Sequence, residues 1–170
     1  MKYGVVIFPS KKLQDEANSF RKRYDPHYAL IPPHITLKES FDADDQQLEA
    51  IIQELQDAAK ESKPFQLQVK KVSSFTPVTN TIYLKVEPVD ELVKLNDRLH
   101  SGNLPSEQTY TFVPHITIAQ KLSNDEFSDV FGSLKIQEFS MNETIDRFQL
   151  VYQLENGTWT VYDTFRLDKE

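Results

Sequence analysis

Histidine and threonine stand two residues apart twice in this chain, as Pro33-His34-Ile35-Thr36 and as Pro114-His115-Ile116-Thr117. A bare tetrapeptide repeat is weak evidence, but its surroundings match as well. Each copy has an apolar residue before the proline segment, at Ile31 and Val113, and another after the threonine, at Leu37 and Ile118. On an extended strand, residues i and i+2 share one face. Each motif therefore offers an imidazole and a hydroxyl on one face and two apolar side chains on the other. Two such strands brought together line a cleft with two histidines and two threonines. That set suits phosphoryl chemistry. A neutral histidine takes a proton from a nucleophile while a protonated one gives a proton to the leaving oxygen. Hydroxyls donate to non-bridging phosphate oxygens as charge develops. The histidines then supply both proton transfers, so no metal is required. A zinc site would need a third ligand, and no ligand spacing for one is present.

Lys38 and Lys121 follow the motifs, four residues after His34 and six after His115. Even spacings return to the histidine's face of an extended strand. Both are candidate phosphate contacts, though solvated strand-end lysines are the plainer reading. His27, in the loop before the first motif, reads as a surface-loop residue with approach to the cleft as the alternative, and His100 as a favourable charge at a helix C-terminus. Phe41, Phe75, Tyr83 and Tyr110 read mainly as core, with stacking on a base as the alternative.

The elements that must position these residues follow from pattern. YGVVIF at 3–8 reads as a buried strand. Ser10 can cap a helix whose face is Leu13, Ala17, Phe20 and Tyr24. Pro26, Pro32 and Pro33 put a loop at 25–33. HITL at 34–37 is a strand. Asp42 or Asp44 caps a helix running to about Lys60 with a stripe at Leu48, Ile51, Ile52, Leu55 and Ala59. A strand is expected at 65–75. The order then repeats: strand 81–86; a helix with Pro88 in its first turn, ended by Gly102, Asn103 and Pro105; strand 115–119; a helix capped by Ser123 or Asn124 and ended by Gly132. Strands at 134–140, 145–154 and 158–167 complete the chain, the last two joined by a hairpin at Glu155-Asn156-Gly157.

The expected fold class is α+β: one bilobal domain over 1–170, its two similar lobes related by a pseudo-twofold and built from the two halves of the chain, with antiparallel sheets, flanking helices and a cleft between lobes. Composition agrees with a globular chain: 170 residues, 39% hydrophobic and 26% charged, without cysteine. Lack of cysteine excludes disulfides and thiolate chemistry. No apolar run approaches a membrane span and no signal-peptide pattern is present, so the cytoplasm is the expected compartment. Net charge is −7 and argues against binding along a nucleic-acid backbone, though not against a small phosphate pocket. No P-loop or dinucleotide fingerprint appears, and no cofactor is expected. No membrane or protein partner is indicated.

The paired motifs resemble the two His-x-Ser/Thr-x motifs of the 2H phosphoesterase superfamily, whose members include LigT-like RNA 2′,5′-ligases and cyclic phosphodiesterases, and small phosphoesterases of Gram-positive bacteria. The resemblance follows the element order over nearly the whole chain, and its specific part is His34/Thr36 and His115/Thr117. It implies catalysis by His34 and His115 and phosphate binding by Thr36 and Thr117, on a 2′,3′-cyclic phosphate of a small nucleotide or RNA end. LigT-like enzymes often carry an arginine after the second motif; here the sequence reads Ala119-Gln120-Lys121. A non-catalytic module binding nucleotides or RNA ends, and a ligase-like reverse reaction, are the alternative readings.

Overall fold

The computed structural model describes residues 1–101 and 112–169. Chain order opens with β1 (Lys2–Ile7), α1 (Lys11–Tyr24), β2 (Ile35–Asp42), α2 (Asp45–Lys60) and β3 (Phe65–Ser74). It continues with β4 (Ile82–Val86), α3 (Asp90–Leu99), β5 (His115–Ala119) and α4 (Asn124–Leu134), and closes with β6 (Met141–Ile145), β7 (Arg147–Gln153) and β8 (Trp159–Arg166).

The helix starts are set by capping chemistry. Ser10 accepts from Leu13 N–H at the head of α1. Of the two aspartates that could start α2, Asp44 is the cap: it forms a reciprocal capping box with Gln47. Ser123 and Glu126 form a second box at α4. Asp44→Ala is expected to cost about 1 kcal/mol, read as a lower urea midpoint with an unchanged slope.

The eight strands seen among the described residues form one sheet in the order β6-β3-β4-β5-β2-β1-β7-β8. Every pairing is antiparallel. The order is symmetric about the β5–β2 seam, with β4, β3 and β6 on one side and β1, β7 and β8 on the other. The two lobes are therefore not the two halves of the chain. β3 pairs with β4, in the second motif's lobe, while β7 returns to pair with β1 in the first motif's lobe. Helices cross over too: α1 packs on β5 and α3 on β2. Both motif strands turn Ile35, Leu37, Ile116 and Ile118 into a core that also takes Leu13 and Ala17 of α1, Leu55 of α2, Leu92, Leu95 and Leu99 of α3, and Phe148 of β7.

Three local expectations are corrected. Pro88 precedes the N-cap Val89 and lies outside α3, whose first turn carries Asp90 and Glu91, suited to the positive end of the helix dipole. Gly132 does not end α4. Leu134 is buried, and packing it adds two residues to the helix at the small cost of one helical glycine. The strand expected at 134–140 lies at Met141–Ile145. Phe139 instead packs edge-on against Phe20 of α1, ring centroids 5.8 Å apart, which draws the preceding segment off the sheet. The proposed helix stop at Gly102, Asn103 and Pro105 lies outside the described residues, as does Tyr110; α3 closes at Leu99 with His100 as C-cap. The terminal hairpin forms at its expected place, with Gly157 at φ +89°, where a side chain would be strained.

Candidate active site

The seam between β2 and β5 decides the site. The two strands pair at a single position, Ile35 opposite Ile116. Continuing that antiparallel register sets His34 opposite Thr117 and Thr36 opposite His115. The apolar residues at the pairing point are both fully buried, so the parity of the strands sends all four motif side chains to the other face. There they line one cleft of ≈ 370 Å³. Each imidazole thus has the other motif's hydroxyl as its cross-strand neighbour.

Both rings are oriented in the same way. His34 Nδ1 lies 2.8 Å from Pro32 O and His115 Nδ1 lies 2.7 Å from Val113 O. A carbonyl only accepts, so each Nδ1 carries the proton and each Nε2 is bare in the neutral ring. The proline segment before each motif has a function here: it holds the carbonyl two residues back from each histidine. Phe75 and Tyr83 pack around the His115 ring at 5.0 and 5.1 Å between centroids. Phe8 packs edge-on against His34. Phe41 instead stacks on Tyr3.

Burial lowers the pKa of both histidines. His34 is lowered to about 4, chiefly by desolvation, with the Arg21 and His115 charges adding to it; the Pro32 carbonyl and Asp25 act in the opposite direction. His115 is also lowered by desolvation, against the Val113 carbonyl and Glu39. Free protein near neutrality therefore holds both rings uncharged.

The two lysines part company. Lys38 lines the cleft but is only 4% exposed. Its Nζ donates to Leu99 O at the C-terminal end of α3 at 3.3 Å, and burial lowers its pKa to about 8. Lys121 is exposed at φ 58° just beyond β5 and is not among the residues lining the cleft.

The cleft wall also holds Arg21 and Asp25, to which the sequence drew no attention, together with Gln120 and His27. Arg21 of α1 and Asp25 just after it are buried and paired, Nε to Oδ2 at 3.3 Å. Gln120, in the Ala119-Gln120-Lys121 stretch after the second motif, donates through Nε2 to Asp25 Oδ1 at 2.8 Å. His27 lines the same wall, half-buried, rather than standing on an outer loop. His100 bonds through Nδ1 to Asn96 O at the end of α3, away from the cleft. The charged residues among the cleft lining are Arg21, Lys38, Asp25 and Glu39, so their fixed charges cancel. Among the described residues, no group of three or more histidines and carboxylates could hold a metal, and no helix is long and apolar enough to cross a membrane.

A curled antiparallel sheet with two His/Thr pairs across its central seam defines the class, and similarity to known proteins agrees. Residues 9–157 match the family described as the 2′-5′ RNA ligase superfamily. The chain belongs to this superfamily, the 2H phosphoesterases. A protein of Oceanobacillus iheyensis named "putative phosphoesterase OB1230" is 58% identical over the full length of both chains. A Bacillus cereus protein of the same designation is 59% identical over 99% of this chain and 98% of its own. Among solved structures, TT0787 of Thermus thermophilus superposes with a TM-score of 0.75 over all of both chains, at 18% identity. E. coli LigT complexed with 3′-AMP superposes with a TM-score of 0.71 over 98% of this chain and 97% of that one, at 17% identity. At those identities the likeness is one of fold.

Proposed function

We propose that this phosphoesterase hydrolyses a 2′,3′-cyclic phosphate on a nucleotide or RNA end without a metal, with His34 and His115 as the proton carriers. The observation that carries the reading is the seam register, which sets each histidine across from the other motif's threonine, all four lining one cleft. Thr36 and Thr117 bind the non-bridging oxygens, and Lys38 adds positive charge nearby. One Nε2 takes a proton from water as its oxygen bonds to phosphorus. The other, as imidazolium, protonates the ribose oxygen as its bond to phosphorus breaks. The product is a phosphomonoester beside a free hydroxyl, and the proton count returns to its start when the pair exchanges a proton with solvent. LigT has been crystallised with 3′-AMP and with ATP, which supports a small nucleotide ligand for a cleft of this shape.

Because the fixed charges lining the cleft sum to zero, a protonated histidine gives the cleft the net positive charge that favours an anionic phosphodiester. Binding is therefore coupled to proton uptake. The form active toward dilute substrate holds one proton on the pair. Both folded pKa values are depressed, so that form is lost below about pH 4 and again as pH rises, on the acid side of the ordinary ~6.5. kcat/KM is expected to peak on the acid side of neutrality and to fall about tenfold per pH unit above it. Bound phosphate raises both values, so kcat should peak at higher pH than kcat/KM. A kcat/KM maximum above about pH 7.5 contradicts this account.

The direct test is hydrolysis of 2′,3′-cyclic nucleotides, and of a short RNA ending in a cyclic phosphate, in excess EDTA. Turnover there supports the reading, and chromatography identifies the product isomer. Saturable binding of both with no product instead favours a module that recognises nucleotide or RNA ends.

A further inference from the structure

We propose that His27 is a substrate-binding residue, held as a neutral Nε2–H donor to read an acceptor atom on the nucleobase; the proposal rests on the nucleotide reading of the cleft. The ring's tautomer is fixed by a chain of hydrogen bonds that begins at a buried carboxylate. Asp25 Oδ2 accepts from Arg21 Nε at 3.3 Å. Asp25 Oδ1 accepts from the His27 backbone N–H at 2.8 Å and from Gln120 Nε2, also at 2.8 Å. An ionised carboxylate only accepts, so the Gln120 amide must turn its nitrogen toward it. The same nitrogen lies 3.1 Å from His27 Nδ1. Its second N–H is donated there, which makes Nδ1 the acceptor and places the ring proton on Nε2. This tautomer is opposite to that of His34 and His115, so His27 offers a donor where the other two offer acceptors.

Position and charge select the ligand group. Gln120 is three residues past Thr117, about 10 Å along an extended chain, which is beyond a phosphate held by the two threonines. Apolar side chains also stand nearby. Trp159 and Ile31 line the cleft, and both adjoin this cluster: Trp159 N–H donates to Leu30 O at 2.8 Å and Ile31 O accepts from Arg21 Nη2 at 2.6 Å. The Arg21 guanidinium is committed within the protein, to Asp25, to Asn18 Oδ1 at 2.8 Å and to the loop carbonyls of Ile31 and His27. It has no charge to spare for a second phosphate. A neutral N–H beside aromatic and aliphatic surface suits an uncharged, flat group with an acceptor edge, a ring nitrogen or carbonyl oxygen of a base.

The test compares wild type, His27→Phe, His27→Gln and Gln120→Leu on 2′,3′-cyclic AMP and on ribose 2′,3′-cyclic phosphate, which lacks the base. His27→Phe should raise KM for the cyclic nucleotide about tenfold, the loss of one hydrogen bond, with kcat within about twofold and the ribose compound unaffected. His27→Gln, whose amide can present an N–H near the Nε2 position, should recover most of that loss. Equal losses on both compounds, or no loss on either, overturn the proposal. A second readout does not depend on turnover. ¹⁵N NMR of the wild-type protein should show His27 with Nδ1 bare and Nε2 protonated, the Nε2 signal should move on adding adenosine 3′-monophosphate, and both features should be lost or blurred in Gln120→Leu. Finding Nδ1 protonated, or Nε2 indifferent to the nucleotide, overturns the proposal even where hydrolysis is seen. The expected tautomer and shift sustain it even where the cyclic phosphate is not cleaved.

Discussion

His34→Ala and His115→Ala should each lower kcat on a cyclic nucleotide by about 10²–10⁴-fold, and the double variant should fall little further. The reason for the small extra loss is that the two rings serve one transition state: with either proton carrier gone, the other has nothing to exchange with, so the effects do not add. Folding is expected to survive. Each ring is half-buried on the cleft and its Nδ1 bonds to a carbonyl of its own segment, Pro32 O or Val113 O. The larger packing change is at His115, where Phe75 and Tyr83 flank the ring. A structural explanation is separated by His115→Asn, whose amide can keep a donor near the Nδ1 position while carrying no titrating nitrogen toward the substrate. It should be as inactive as the alanine variant yet unfold at nearly the wild-type urea concentration. Either single alanine variant retaining turnover within about tenfold of wild type would sink the paired-histidine mechanism.

The motifs were legible because their information is local. Alternation along a strand and a proline before each histidine are read within a few residues, and burial of Ile35 and Ile116 then leaves one choice of face. What was not legible was neighbourhood. A strand's sequence does not name its partner, so β3 and β7 read as members of their own half-chains although they pair with β4 and β1 in the opposite ones. The lysines show the same limit at one residue. Lys38 and Lys121 follow similar motifs, but β2 continues to Asp42 and carries Lys38 inward, whereas β5 ends at Ala119 and Lys121 turns out at positive φ. One missed signal was present in the sequence. Leu13, Ala17 and Arg21 are spaced four apart, so the apolar face of α1 carries Arg21 into the interior, with Asp25 a further four on. A charged residue on a buried stripe, with its counter-ion one turn away, points to a buried ion pair. His27 gave a weaker signal: its loop precedes the first motif and so can approach the cleft, but its contact there is with Gln120, which lies 93 residues away in sequence.

Arg21→Met should be among the most destabilising single substitutions in the chain, costing about 3–5 kcal/mol. Both partners of the Arg21–Asp25 pair are 2% exposed at the side chain, so removal of the cation leaves a carboxylate that cannot recover its hydration. Two loop carbonyls, of Ile31 and His27, lose their donor at the same time, and the Tyr28 ring loses the cation 5.9 Å from its centroid. A loss of this size is a large part of the ~5–15 kcal/mol that holds a domain of this kind folded, so urea unfolding should show it as a plainly lower midpoint. The cause is separable from packing. Arg21→Met combined with Asp25→Leu removes both charges and should recover part of the loss, since the stranded carboxylate rather than the missing attraction sets most of the cost. A double variant no better than Arg21→Met would show that the loop's hydrogen bonds, not the unpaired charge, carry the energy. A cost below about 1 kcal/mol for Arg21→Met would mean that the pair is solvated in the native state. In either variant the loop from 25 to 33 loses the clamp that fixes Pro32 behind His34, so proton transfer should weaken along with stability. The ion pair that closes α1 also holds in place the carbonyl that sets the tautomer of the first histidine.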